Sequence, residues 1–287
     1  MSNHVPYIAF IGFGEAAMAF CDGLPGKAIG YDICIGETAK QADFARHNVL
    51  AAASNAQAAA NAPLILSLVT ADKTLAAAQD TATSLSQGAL YCDMNSVAPD
   101  TKRAAAAVIE AAGGRYVDVA VMAPVMPARR AVPLLVSGPH AAQASTALAR
   151  FGFNPRAIAG DVGNASTVKM IRSVLVKGLE ALTAECFLAA EAAGVTDEVA
   201  ASLNASWPGT DWAAKADYNL ERMLVHGLRR AAEMEEVVRT LETLGAGSAM
   251  SRAAAQRQRA IGMLGLPAPA GLSAKTQLIL AREGIAA

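Results

Sequence analysis

The first half of the chain alternates short runs of apolar, β-branched and aromatic residues with alanine-rich stretches of helical spacing. Residues 7–11, 28–31, 64–69, 89–93, 116–121 and 134–137 read as strands, and 38–46, 75–84 and 98–112 as helices between them. Strands separated by helices pair in parallel, because the crossover returns the chain to the edge from which it started. After Gly163 the strand pattern ends. Val168, Ile171, Leu175, Leu179, Leu182 and Cys186 recur at spacings of three and four, which marks one apolar face of a long helix that Asn164 would cap and Gly194 would stop. Further helical patterns run over about 221–244 and 248–263. The expected fold is α/β, with a Rossmann-type doubly wound parallel sheet over 1–162 followed by an all-α C-terminal domain over 163–287. The helical domain is expected to do the substrate and subunit work.

The first strand carries the clearest chemical signal. An apolar run from Val5 to Ile11 breaks at Gly12-Phe13-Gly14-Glu15-Ala16-Ala17 and continues with helical spacing through Met18, Phe20, Cys21 and Leu24. A glycine at 12 permits a tight turn, one at 14 lets the backbone approach a pyrophosphate, and a small residue at 17 lets the helix pack on its strand. Asp32 then ends the second strand, where the ribose of a dinucleotide would lie. The bland alternative is a strand-turn-helix whose glycines serve packing, with Asp32 as a surface turn residue. On the ligand reading the site is built at the carboxyl ends of the strands, from Gly12, Phe13, Gly14, Glu15, Ala16, Asp32, Val69 and Thr70. A carboxylate at 32 accepts from ribose hydroxyls and repels a 2′-phosphate, which predicts NAD and leaves NADP as the alternative.

Composition narrows the classes. With 287 residues, 53% of them hydrophobic, and a net charge of −1, the chain has a sizeable core and no electrostatic footprint for nucleic acid or an anionic membrane surface. No apolar run reaches the ~18 residues of a membrane span, and the N-terminus lacks the pattern of an export signal. Cys21, Cys34, Cys92 and Cys186 show no paired spacing and read as buried free thiols, which fits a cytoplasmic protein. His4, His47, His140 and His226 are too scattered for a metal site, so none is expected.

A second signal opens the long helix. Gly163-Asn164-Ala165-Ser166-Thr167-Val168-Lys169 puts a lysine on its polar flank, with Arg172 and Ser173 three and four residues further on. Taken alone, a helical lysine is more often a solvated charge. Together with the glycine turn, the Leu66-Ser67-Leu68-Val69 strand, Asp93-Met94-Asn95-Ser96-Val97-Ala98-Pro99 and the stretch from Asp118 to Pro124, it resembles the β-hydroxyacid dehydrogenase superfamily. That superfamily includes 6-phosphogluconate and 3-hydroxyisobutyrate dehydrogenases. The segment from His226 to Met234 resembles a branch of phosphogluconate dehydrogenase-like proteins of unassigned substrate.

The resemblance implies an NAD(P)-dependent oxidoreductase that interconverts a secondary alcohol and its carbonyl. It makes Lys169 the acid/base at the substrate oxygen, with Ser173 where the family has an asparagine. It also implies substrate contacts from Asn95, Ser96, Met122 and Ala123, although Asn95 and Ser96 read equally well as a helix-capping turn. A desolvated lysine can titrate near neutrality and so suits that role. At Met122-Ala123-Pro124 the family has Ser-Gly-Gly, so donors for a small carboxylate are lost and a bulkier or less anionic substrate is favoured.

Arg229 and Arg230 are expected to pair with Glu233, and His226 could line the cleft or be structural. Trp207 and Trp212 are expected in the core or a homodimer interface, with an apolar wall for an aromatic substrate as the alternative. An imine reductase, and a nucleotide-binding protein without catalysis, stand as alternative functions. The expected partners are a small-molecule substrate and a second copy of the chain.

Overall fold

In the sheet, successive residues serve opposite faces. Ile8 and Phe10, Leu64 and Leu66, Leu90 and Cys92, and Val117 and Val119 enter one buried cluster, while Ala9 and Ile11, Ile65, Tyr91 and Tyr116 enter another. A sheet apolar on both faces must be covered on both, which the crossover helices of parallel strands do. The computed structural model describes residues 7–284, so His4, Val5 and Pro6 lie outside the described residues. Cα packing divides the chain after Met170 into two units.

The first unit begins with β1 (Tyr7–Ile11), α1 (Glu15–Cys21), β2 (Lys27–Tyr31), α2 (Thr38–Arg46), β3 (Leu50–Ala51) and α3 (Asn55–Ala59). It continues with β4 (Leu64–Ser67), α4 (Thr74–Ala82), β5 (Leu90–Asp93), α5 (Pro99–Ala111), β6 (Arg115–Val121), β7 (Pro133–Ser137), α6 (Ala141–Arg150) and β8 (Asn154–Ala157). It also takes in the first turns of α7 (Asn164–Ala192). Among the described residues the strands form one sheet in the order β3-β2-β1-β4-β5-β6-β7-β8.

The pairs are parallel except β6 with β7, which run antiparallel and join Val119 to Val136. The sheet is the doubly wound, mostly parallel one expected; β6 and β7 are antiparallel because only a loop with a short 3-10 turn, Arg129–Ala131, joins them, and a parallel pair needs a longer crossover. β3 and β8 carry too little apolar pattern to be read as strands. The order reverses between β1 and β4, where open sheets of this kind bind ligands. The registers Ile11↔Ser67, Ser67↔Asp93 and Asp93↔Asp118 bring four strands level there.

The second unit is helical: the rest of α7, then α8 (Thr196–Ser206), α9 (Trp212–Thr243), α10 (Ala249–Met263) and α11 (Leu272–Glu283). α9 and α10 form a tight hairpin in which a Cβ on Gly227 would lie 2.5 Å from the Gln258 carbonyl oxygen. The apolar α7 face read from the spacing is turned outward, with Ile171, Leu175 and Leu182 exposed by 50%, 67% and 52%. α7 packs instead through Ala184, Phe187 and Leu188, together with polar groups that find partners. Cys21 and Cys92 are buried, but Cys34 is half-buried and Cys186 exposed, which corrects the expectation of four buried thiols. Among the described residues no helix is long and apolar enough to cross a membrane.

Candidate functional site

The glycine turn is built for close approach. Gly12 has a φ of +88°, and a Cβ there would lie 2.4 Å from the Leu68 carbonyl oxygen, so conformation and space both require glycine. Its N–H donates to the Tyr31 carbonyl at 2.8 Å, which holds the turn to β2. Gly14 precedes α1 without a side-chain cap, and nothing lies within 4 Å of where its Cβ would be. Uncapped helix amides beneath open space suit a pyrophosphate. Glu15 is exposed and Ala16 half-buried in the same first turn.

Phe13 supports the turn from the core. Its fully buried ring stacks on Phe44 with centroids 4.0 Å apart. Its N–H donates to Asp32 Oδ2 at 2.8 Å, and its carbonyl accepts from Lys40 Nζ at 2.8 Å. Asp32 Oδ1 accepts from the Cys34 N–H at 2.9 Å. An ionised carboxylate has about four acceptor sites, so capacity remains for ribose hydroxyls. Lys40 was missed in the sequence, where a lysine on α2 is indistinguishable from a solvated charge.

At the ends of β4 and β5, Asn95 acts as a brace. Its Oδ1 accepts from Val69 N–H at 2.7 Å, its Nδ2 donates to Ser67 Oγ at 2.9 Å, and its own N–H donates to Asp93 Oδ1 at 2.9 Å. The Ser96 hydroxyl is buried and has no hydrogen-bond partner among the described residues, so its bonding capacity is unspent. Thr70 is exposed at the start of a short helical turn.

Past β6, half-buried Met122 packs against Ala120, Leu135 and Ala165, which brings its loop to the start of α7. Ala123 and Pro124 are exposed. The cap expected of Asn164 comes instead from Asp118 on β6, because Asn164 turns its amide back to the Ala159 carbonyl at 3.4 Å. Asp118 Oδ2 accepts from the N–H groups of Gly163 at 3.1 Å and Ser166 at 3.0 Å, and Oδ1 from the Ser166 hydroxyl at 2.6 Å. Lys169 follows at the next turn, half-buried. Ser173 is buried and falls in the second unit, while Arg172 is exposed.

Two groups of expected site residues are thus assembled. Gly12, Phe13, Asp32, Val69 and Asn95 are joined by hydrogen bonds and close packing through Leu68; Met122 meets the opening of α7. Asp118 and Lys102 were missed as site residues: the signal for Asp118 is an acid inside an apolar strand, while Lys102 on α5 gives no signal that separates it from a solvated lysine. Lys102 is fully buried, with Nζ 2.9 Å from Asp93 Oδ1 and 3.5 Å from Asp118 Oδ1.

In the helical unit, Arg229 pairs with Glu233 at 2.6 Å as expected, but Arg230 does not. It reaches Glu180 on α7 through two nitrogens, with Nε to Oε2 at 2.9 Å, and Gln258 donates to the same carboxylate at 2.8 Å. Glu233 takes Lys177 instead, at 2.7 Å. Trp207 is 55% exposed, which removes it from the core, and its ring lies 5.6 Å from that of half-buried Trp212. His226 is half-buried on α9. Burial pushes the Cys21 thiol up to about 12.

Residues 7–152 match the family model of the NAD binding domain of 6-phosphogluconate dehydrogenase, and 190–261 match a domain of unknown function, DUF1932. A conserved hypothetical protein from Sinorhizobium meliloti 1021 is 38% identical, covering 98% of this chain and 97% of its own, with a TM-score of 0.75. A conserved protein of unknown function, described as structurally similar to 3-hydroxyacid dehydrogenases, is 26% identical over 89% of this chain and 99% of its own, with a TM-score of 0.68. The 3-hydroxyisobutyrate dehydrogenase of Mycobacterium tuberculosis shares the fold, with a TM-score of 0.75 at 18% identity over 96% of this chain and 99% of its own.

Proposed function

This chain belongs to the family of the 6-phosphogluconate dehydrogenase NAD-binding domain, and on that footing we propose that it interconverts a secondary alcohol and its carbonyl, with Lys169 as acid/base. The observation that carries the reading is the glycine turn: open space above Gly14 and uncapped amides at α1, with the Asp32 carboxylate hydrogen-bonded to the same turn. These residues fit a dinucleotide, and Asp32 favours NAD over NADP. When bound, the nicotinamide supplies hydride transfer. Lys169 as a neutral amine takes the hydroxyl proton during oxidation, and as ammonium returns it to the oxygen during reduction.

Met122, Ala123 and Pro124 offer little to a small carboxylate, since Pro124 has no N–H and Met122 is apolar. The buried Ser96 hydroxyl, without a partner among the described residues, is one donor left for a ligand. We assign the substrate as bulkier or less anionic than a short hydroxy acid. The exposed Ile171, Leu175 and Leu182 face supports a homodimer: an antiparallel copy of the helix centred between Gly178 and Leu179 sets Leu175 opposite Leu182, so the surface complements itself. Leu175→Glu should then sediment as a monomer, and a wild-type monomer overturns the dimer.

The functional test follows oxidation of NADH and NADPH with panels of aldehydes, keto acids and cyclic imines. Reduction of carbonyls is the expected result. Turnover of imines alone would make the protein an imine reductase, and cofactor binding without turnover of any panel member would leave it a nucleotide-binding protein.

A further inference from the structure

We propose that Asp118, beside the buried Lys102 that it shares with Asp93, is the positioning residue that sets the first turn of α7 and with it Lys169. The inference rests on the assignment of Lys169 for its catalytic consequence, but its geometry stands alone. Asp118 sits inside β6 with no exposure, and its carboxylate takes the N–H groups of Gly163 and Ser166, the Ser166 hydroxyl and, at 3.2 Å, the Ser137 hydroxyl. Ser137 Oγ in turn accepts from the Ala165 N–H at 2.9 Å. Three amides at the opening of α7 are therefore anchored to β6 and β7, and Lys169 lies one turn beyond Ser166.

The same charges reach the other side of the site. Lys102 Nζ donates to the Asp93 carbonyl at 2.6 Å as well as to its carboxylate, and Tyr116 donates its hydroxyl to Asp93 Oδ2 at 2.7 Å. Asp93 Oδ1 holds the N–H of Asn95, whose side chain braces Val69. Two buried carboxylates and one ammonium therefore connect the Asn95–Ser96 loop to the opening of α7. A buried charge on this scale has to be paired and hydrogen-bonded, and each member here is. A helix can be capped more simply by a serine or asparagine of its own, so a cap delivered from the sheet fixes where the helix starts as well as that it starts.

The test compares wild type with Asp118→Asn and, should that variant fail to fold, Ser166→Ala, which removes one donor and leaves the carboxylate. Hydrogen exchange is read at the amides of 163–170, with the rate at which an amine-specific reagent labels Lys169 across pH. NADH titration serves as the control for the glycine turn. We expect exchange at 163–170 to rise at least tenfold and the Lys169 labelling profile to shift, with exchange across β1 to β4 unchanged. Uniform acceleration throughout the first unit, or unchanged exchange and labelling at 163–170, would overturn the proposal. Loss of turnover in Lys169→Ala tests the catalytic assignment separately, so the two can fail independently.

Discussion

Asp32 Oδ2 accepts the backbone N–H of Phe13 at 2.8 Å, so the carboxylate expected to meet the cofactor ribose also holds the glycine turn in shape. Asp32→Asn keeps one acceptor and loses the charge. The NADH dissociation constant should rise about tenfold, ~1.4 kcal/mol, while that of NADPH stays level or falls. Fluorescence titration of both cofactors checks this, and tighter NADPH than NADH binding by wild type would reverse the cofactor assignment.

The two glycines of the turn should respond differently. Alanine at 12 needs a positive φ and meets the Leu68 carbonyl, so Gly12→Ala should lose about 2 kcal/mol or more of stability. Alanine at 14 has an ordinary backbone and open space, so Gly14→Ala should melt within about 1 °C of wild type. Its NADH affinity should nonetheless fall, because the methyl group occupies the approach to the pyrophosphate. Calorimetry paired with NADH titration separates the two effects, and equal losses of stability would contradict the geometry.

Adjacent arginines on α9 should differ just as clearly. Arg230 is the main cation on the buried Glu180, and removing it leaves that carboxylate with Gln258 alone, so Arg230→Ala should cost ~3–5 kcal/mol. Arg229 is half exposed, and Arg229→Ala should cost under ~1 kcal/mol. Urea denaturation gives both values, and similar losses would contradict the burial pattern.

Alkaline pH should loosen the first unit in part through Cys21. Its thiol is held protonated to about 12 by burial, against an ordinary value of 9.0. Above pH 9 the unfolded chain gives up this proton while the folded one retains it, so stability declines as pH rises from 9 towards 12. Cys21→Ala should show a shallower decline in melting temperature over that window, and an unchanged slope would remove the thiol as a cause.

The strands around Gly12 and Asp32 were legible because periodicity and turn chemistry agree there, and both depend on neighbours in sequence. What stayed hidden depends on neighbours in space. Val168, Ile171, Leu175 and Leu182 announced an apolar face, but spacing carries no information on which way a face points. Arg230 sits three residues before Glu233, yet the α7 carboxylate at Glu180 outcompetes it by offering two oxygens in a buried setting. Asn164 has the right chemistry for a cap and is displaced by Asp118, which is 46 positions earlier in the chain and was visible as the start of the stretch to Pro124, not as a partner of α7. Asn95, singled out for substrate, spends its side chain on Val69 and Ser67.

The central claim is that Lys169 moves the proton while the glycine turn holds the cofactor. Its most direct test is the turnover of Lys169→Ala on a substrate found in the carbonyl panel, measured beside NADH binding. The account predicts that kcat falls about 10²–10⁴-fold with the NADH dissociation constant within about twofold of wild type. Turnover retained at the wild-type level would contradict it.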